Sequence, residues 1–157
     1  MAGTYSHIEK EIVSHYQSLG ASVTVDPPGR GAPDILGSWG DGSALVGEIK
    51  SATEASGSAS SWWSYWTKPE RDLRPHYKRE PPTTPTALRG WCAVIDGQLR
   101  EYCDRQNVKK GDLVVESGTL HRNDINQALA YLKSERRIKS FSNNADGILD
   151  YWTIEFI

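Results

Sequence analysis

The stretch that decides the fold is GAPDILGSWGDGSALVGEIK, residues 31–50. Asp34 follows a proline at the start of one short apolar run, and a Gly/Asp segment leads to a second run that ends in Glu48, an isoleucine and Lys50. Alternate residues of a strand share a face, so Glu48 and Lys50 should point together, with the residue between them on the other face. If the turn at Asp41-Gly42 folds the runs into a hairpin, Asp34 comes close to Glu48. We therefore predict two carboxylates and one ammonium group at a single spot.

Length and composition indicate a globular protein. The chain has 157 residues, of which 38% are hydrophobic and 24% charged, which suits one domain with a core of its own. The sequence has no apolar run long enough to cross a bilayer and no signal-peptide core, so we expect a cytoplasmic protein without a membrane partner. Cys92 and Cys103 are expected to be free thiols, as in a reducing compartment.

Hydrophobic periodicity and turn residues predict the order of the elements. The pattern predicts helices at 5–19 and 123–137 and strands at 21–26, 33–36, 44–50, 112–116 and 151–157. The Asp-Gly pair at 96–97 predicts a hairpin over residues 90–103, and SNNADG at 142–147 predicts a loop. Asn123 is suited to cap the second helix. This order predicts an α/β single domain with a central mixed sheet flanked by helices.

The first predicted helix carries two acids, and they differ in position. Its apolar stripe consists of Tyr5, Ile8, Ile12, Tyr16 and Leu19. Glu9 lies roughly 55° from the centre of this stripe and Glu11 roughly 105° away, on the solvated side. Glu9 is therefore the acid that we expect to face into the protein.

Residues 52–89 form an unusual Ser-, Trp- and Pro-rich insertion. From Lys68 to Arg89 the chain carries six basic residues against three acidic ones, although the formal net charge of the protein is -2. Its tryptophans could be core, a subunit interface or a platform for stacking bases, and we favour the last two readings. The basic residues could be a solvated loop or could contact phosphates. The candidate nucleic-acid-binding residues here are Trp62, Trp63, Lys68, Arg71, Arg74, Lys78 and Arg79.

Two or three acids beside a lysine have a recognisable chemistry. Mg²⁺ takes oxygen ligands, often one or two carboxylates together with phosphate oxygens, and can polarise a phosphoryl oxygen and orient water. A neighbouring lysine can position the attacking water and offset phosphate charge. The plain alternative for Asp34, Glu48 and Lys50 is an exposed strand end with an ordinary ion pair.

These residues also carry a resemblance. Pro33-Asp34, followed after thirteen residues by Glu48-Ile49-Lys50, resembles the PD-(D/E)xK nuclease motif. The helix IEKEIV at 8–13, followed by Gly20 and then Arg30, is similar to the opening of archaeal Holliday junction resolvases. The resemblance covers about the first third of the chain well, and residues 52–89 have no counterpart in it.

The resemblance implies a restriction-endonuclease-like fold over residues 1–157 and a role for each site residue. Asp34 and Glu48 would bind Mg²⁺, for which Mn²⁺ can substitute, with the Ile49 carbonyl as a further ligand. Lys50 would position or activate water, and Glu9 would support the metal or its water. Arg30 would contact phosphate or remain solvated, and Ser51 is a polar residue often found beside the lysine.

The function implied is that of a Mg²⁺-dependent DNA endonuclease, resolvase-like and homodimeric, acting on branched or duplex DNA. A sequence-specific restriction or homing endonuclease is the alternative of the same class. A nuclease-fold protein that binds nucleic acid without cleaving it is the alternative of a different class. A nuclease acting on RNA or nucleotides is also open.

Overall fold

A computed structural model of the chain describes residues 6–26, 33–50, 88–116, 118–146 and 149–157. The strands in this part of the chain are β1 (Ser22–Val25), β2 (Ile35–Ser38), β3 (Ala44–Lys50), β4 (Lys110–Val115), β5 (Ile138–Asp146) and β6 (Leu149–Phe156). The helices are α1 (Ser6–Ser18), α2 (Arg89–Gln106) and α3 (Gly118–Ser134). Helix α2 consists of an α-helical turn at Arg89–Cys92, a π-helical segment at Ala93–Leu99 and an α-helical segment at Arg100–Gln106.

One mixed sheet contains all six of these strands, in the order β1-β2-β3-β4-β6-β5. The first three strands form an antiparallel meander, β4 runs parallel to β3, and β6 is antiparallel to both of its neighbours. The side chains of α1 share one core with one face of the sheet, and those of α2 and α3 share a second core with the other face. The predicted α/β architecture, a central mixed sheet flanked by helices, is confirmed.

The β2–β3 hairpin forms as its turn chemistry predicts. The Asp41 carboxylate accepts hydrogen bonds from the backbone amide and the hydroxyl of Ser43, at 2.9 and 2.6 Å. Gly42 has φ +90°, a backbone conformation that glycine adopts without steric cost. Strand β3 covers the predicted residues 44–50, and it is an interior strand with both faces covered.

Helix α1 confirms most of the predicted stripe. Ile8, Ile12 and Tyr16 are buried, and Gly20 has φ +91°, which fits a helix that stops just before it. The prediction for Leu19 is wrong, because its side chain is 57% exposed. The helix ends at Ser18, so Leu19 leaves the stripe, and its carbonyl accepts a hydrogen bond from the indole of Trp39. Tyr5 lies outside the described residues.

The predicted hairpin at 90–103 is wrong, because this segment is the helix α2. Every residue from Cys92 to Leu99 is buried, and the apolar residues Cys92, Ile95, Leu99 and Cys103 follow one another at helical spacing. They pack against β4, where a Cβ added at Gly111 would meet Leu99 and Cys103 atoms at 3.0 Å. Tertiary packing on the sheet therefore overrides the local Asp-Gly turn signal. The expectation of free thiols is confirmed for both cysteines, which are buried.

Two boundaries in the C-terminal third are also wrong. Helix α3 begins at Gly118 and ends at Ser134, so Asn123 lies inside the helix and does not cap it. The predicted loop at 142–147 belongs to β5 as far as Asp146. Its polar side chains are used across the strand pair: Asn143 donates to the Asp150 carboxylate at 2.7 Å, and Asn144 donates to the Thr153 hydroxyl at 3.2 Å. Within the described residues, no helix has both the length and the apolar character needed to cross a bilayer.

Candidate active site

Asp34 and Glu48 are brought together by the register of the β2–β3 hairpin. Ile35 pairs with Gly47, so the preceding residue, Asp34, lies opposite Glu48. The Asp34 amide donates to Glu48 Oε1 at 3.3 Å, and the Ile49 amide donates to Asp34 Oδ2 at 2.9 Å. Each carboxyl group is thus held by a backbone donor of the neighbouring strand. The predicted proximity of the two acids is confirmed.

Lys50 completes the cluster on the same face of β3. Its Nζ lies 3.7 Å from Glu48 Oε2. The side chain of Ile49 points the other way, into the core beneath α1. Asp34, Glu48 and Lys50 are only 6, 4 and 4% exposed. The plain alternative, an exposed ion pair at a strand end, does not describe these residues, because all three are buried.

The pKa values of the two carboxyl groups are shifted in opposite directions. Burial raises the pKa of Glu48 well above its usual value, Lys50 counteracts the rise, and Asp34 adds to it. Burial also opposes ionisation of Asp34, but hydrogen bonds with Glu48 and from the Ile49 amide outweigh it and lower the pKa of Asp34. This split is typical of two acids close together, where one ionises and the other retains its proton.

Glu9 approaches the cluster from α1. Its side chain is half-buried, whereas Glu11 is exposed, as the helical geometry predicts. The Oε2 atom of Glu9 is buried and accepts no hydrogen bond from the described residues. Partial burial raises the pKa of Glu9, and the negative charges of Asp26 and Asp34 raise it further. Glu9 is therefore within electrostatic reach of Asp34.

Helix α2 contributes polar residues that sequence reasoning missed. Gln98 Nε2 donates to the Tyr102 hydroxyl at 3.0 Å, and both side chains are buried. Burial and then the charge of Glu48 raise the pKa of Tyr102, which places its phenol near the cluster. They were missed because residues 90–103 were predicted as a hairpin and not as a helix. On a helix, their spacing of four residues would have put them on one face.

The donor set at this spot suits a hard cation. Among the described residues there is no group of three His, Cys, Asp or Glu side chains arranged to hold a metal ion. Mg²⁺ needs less from the protein, because it often binds through one or two carboxylates plus water and substrate oxygens. Asp34 and Glu48 supply those carboxylates side by side, and a cation between them would favour the ionised form of Glu48, whose pKa is raised by burial and further by Asp34.

The remaining predicted site residues cannot be placed around this cluster. Arg30, Ser51 and the insertion up to residue 87 lie outside the described residues, and this includes Trp62, Trp63, Lys68, Arg71, Arg74, Lys78 and Arg79. Their roles in binding DNA stay predictions.

Comparisons with known proteins do not identify a family for this chain. No family model matches the sequence, and neither the curated proteins nor the solved structures contain a match.

Proposed function

We propose that this protein is a Mg²⁺-dependent endonuclease with a restriction-endonuclease-like fold, which hydrolyses phosphodiester bonds of DNA. The observation that carries the proposal is the convergence of two buried carboxyl groups and a buried lysine at one end of the central β2–β3 hairpin. The sheet flanked by helices and the half-buried Glu9 on the first helix agree with the PD-(D/E)xK resemblance.

The roles of the residues follow from their chemistry. Asp34 and Glu48 would hold the Mg²⁺ ion, which when bound polarises a phosphoryl oxygen and orients water. The Ile49 amide keeps the Asp34 carboxylate oriented through its hydrogen bond. The Lys50 ammonium would position the attacking water and stabilise the negative charge that develops on the phosphate. Glu9, with a buried oxygen that accepts no hydrogen bond from the described residues, would order water at the site.

The proposed substrate is branched DNA, and the proposed assembly is a homodimer. Both rest on the similarity of the first third of the chain to Holliday junction resolvases. A symmetric junction needs two cuts, and a two-fold dimer would supply two sites.

The test is a substrate panel in Mg²⁺ buffer: a four-way junction, a linear duplex, a flap, single-stranded DNA, RNA and plasmid DNA. Lys50→Ala and Asp34→Ala are the inactive variants, and Lys139→Ala is the matched control, because Lys139 is 68% exposed on the edge strand β5. We expect the parent and the control to cut the junction best, in a Mg²⁺-dependent way, and both site variants to be inactive.

The other outcomes assign the alternatives. Cleavage at one position in the plasmid would replace the resolvase reading with a sequence-specific endonuclease. Tight binding of DNA without cleavage would indicate a nuclease-fold binding protein. Equal cutting by the parent and both site variants would remove the catalytic role from this cluster.

A further inference from the structure

A second candidate site lies at the opposite end of β3. A cavity of about 300 Å³ opens on the α1 face of the sheet, near the beginning of the strand at Ala44 and Leu45. With a rise of about 3.3 Å per residue, it is roughly 20 Å from Lys50, at the other end of the strand. It is therefore separate from the candidate active site, and the proposed cleavage reaction does not use it.

The floor of this cavity carries a buried carboxyl group with an unused oxygen. Asp112 lines the cavity and is only 2% exposed. Oδ2 accepts a hydrogen bond from the Tyr16 hydroxyl at 2.7 Å, and hydrogen bonding to the Thr153 side chain also lowers the pKa of this carboxyl group. The buried Oδ1 has no hydrogen-bond partner among the described residues. A buried acceptor without a donor costs free energy, so this atom is suited to a ligand that brings an N–H group.

Aromatic side chains form the walls. The rings of Tyr16 and Trp39 meet edge to face, with 6.4 Å between their centroids, and Tyr151 also lines the cavity. The Trp39 indole donates to the Leu19 carbonyl at 3.0 Å, which fixes the orientation of that ring. Rigid aromatic walls around an acceptor favour a flat heterocycle that can stack and donate one hydrogen bond.

A second cavity, of about 450 Å³, adjoins the first and differs from it in the charged residues of its lining. The two cavities share Ser43, Ala44 and Lys110 as lining residues. Lys109 and Lys110 are its charged lining residues, and no carboxylate among the described residues lines it. The first cavity is lined by the carboxylates of Asp41 and Asp112, and Lys110 lines both cavities. The lysine side is suited to an anion such as a phosphate.

From this juxtaposition we propose that the two cavities together bind a nucleotide. The base enters the Tyr16–Trp39 cavity and donates an N–H to Asp112 Oδ1, and the phosphate lies against Lys109 and Lys110. The nucleotide comes either from the free pool or from a single strand of nucleic acid, since both present the same base and phosphate. This inference stands independently of the proposed cleavage.

The test is binding of guanosine 5′-monophosphate in metal-free buffer, followed by NMR at the Trp39 indole N–H and by calorimetry. Guanine is the probe because it carries an exocyclic N–H donor. Guanosine and ribose 5-phosphate probe the two cavities separately, and a short single-stranded oligonucleotide distinguishes the two sources. We expect saturable binding of the nucleotide that is tighter than binding of either fragment. Binding of the mononucleotide alone assigns the free pool, and tighter binding of the oligonucleotide assigns a strand.

Two variants locate the binding. Asp112→Asn should weaken nucleotide binding by about tenfold, because it removes a charge-assisted acceptor. Lys110→Gln should weaken binding of the nucleotide more than binding of guanosine, because only the nucleotide carries the phosphate, and the matched control Lys139→Gln should change neither. Asp34→Asn should bind the nucleotide as the parent does, which separates this site from the candidate active site.

The inference is overturned if the indole signal of Trp39 does not move at millimolar nucleotide. It is also overturned if Lys110→Gln binds the nucleotide as tightly as Lys139→Gln does. This second comparison decides the matter even if Asp112→Asn fails to fold, since Lys110 and Lys139 are both exposed strand residues.

Discussion

Two clusters of buried charged residues lie on the side of the sheet that α2 and α3 cover, and their charges are arranged differently. In the first, Asp96 of α2 meets two arginines: Oδ1 lies 3.3 Å from Arg100 and Oδ2 lies 3.0 Å from Arg137. Arg100 also donates to the carbonyls of Arg137 and Ile157, at 2.6 and 3.0 Å. This cluster ties α2 to the end of α3 and to the C-terminal strand, and each carboxylate oxygen has a cationic partner.

In the second cluster, two acids lie side by side with one lysine next to Glu48. Burial and the neighbouring Asp34 raise the pKa of Glu48 well above its usual value, even though Lys50 counteracts them. A second buried acid beside an ion pair adds repulsion and a further desolvation cost without a matching cation, so it does not stabilise the pair. The difference teaches that the charges at Asp96 are matched, whereas the acids at Asp34 and Glu48 are crowded, which is the arrangement that we propose to bind a cation.

The largest effect that separates the clusters should be the loss of cleavage in Asp34→Asn. The amide oxygen can still accept the Ile49 hydrogen bond, so the free energy of unfolding should stay within about 1 kcal/mol of the parent. Cleavage should fall by about 10²–10³-fold, because one of the two charges that hold the ion is lost. Single-turnover rates and urea denaturation on the same preparation measure both. Equal cleavage rates would contradict the distinction.

Asp96→Asn should show the reverse pattern. Removing the charge that two partly buried arginines share should lower the free energy of unfolding by about 3 kcal/mol. The rate of cleavage at a temperature where the variant is folded should stay within about twofold of the parent rate, since Asp96 is not among the residues that we propose to bind the ion or to position water. Urea denaturation tests the first expectation, and a variant as stable as the parent would mean that the Asp96 cluster contributes nothing to the fold.

Asp112 is a third buried acid, and its raised pKa should be visible in the pH dependence of stability. Burial, opposed chiefly by the Tyr16 hydrogen bond, raises the pKa of Asp112 from 3.8 to about 6. The folded protein then binds this proton more tightly than the unfolded chain, so the contribution of Asp112 to stability is fully present below about pH 4 and is lost as pH rises through about 6. The loss should be on the order of 2–3 kcal/mol.

The measurement is the difference in the free energy of unfolding between the parent and Asp112→Asn across pH 4–7. This difference isolates Asp112 from other titrating groups. It should fall from pH 4 through pH 6, where the folded-state carboxyl is half ionised, and level off only towards pH 7. A difference that is constant over the whole range would contradict the raised pKa.

Mg²⁺ should stabilise the protein through the crowded cluster. An ion that binds only the folded state adds about 2 kcal/mol when it is present well above its dissociation constant. The increase in melting temperature should appear with Mg²⁺ or Mn²⁺ in the parent and in Asp96→Asn, and it should be absent in Asp34→Asn. The same increase in all three proteins would mean that the ion binds elsewhere.

The smallest effect should come from the acid on the first helix. Glu9→Gln should lower the cleavage rate by about tenfold, because it removes the carboxylate that we propose to order water at the site. Glu11→Gln is the matched control, because Glu11 belongs to the same helix and is exposed. If the two variants cut equally fast, Glu9 has no part in the reaction.

The sequence predicted the convergence of Asp34, Glu48 and Lys50 because the information for it is local. The Asp41-Gly42 turn, the alternation along β3 and the position of Asp34 all lie within twenty consecutive residues, and a hairpin register converts them directly into contacts. Glu9 was separated from Glu11 by helix geometry alone. The packing of β4 beside β3 could not be predicted in the same way, because a parallel pairing depends on a long connection.

The failures have nonlocal causes. Asp96-Gly97 is a strong turn signal, but Asp96 is held by Arg137, forty-one residues further along the chain, and Gly97 lies in the π-helical segment. The polar run at 142–146 reads as a loop, yet it becomes a strand because β6 offers an edge and its asparagines find partners there. Gln98 and Tyr102 were missed as a consequence of the first of these errors.

The most direct measurement is the rate at which the purified protein cleaves a labelled four-way junction in Mg²⁺, compared for the parent, Lys50→Ala and Lys139→Ala. We predict that the parent and Lys139→Ala cut at the same rate, that chelation of Mg²⁺ stops both, and that Lys50→Ala is at least about 10²-fold slower. A parent that cuts no nucleic acid substrate, or a Lys50→Ala variant as active as Lys139→Ala, would contradict the assignment of Asp34, Glu48 and Lys50 as the active site of a nuclease.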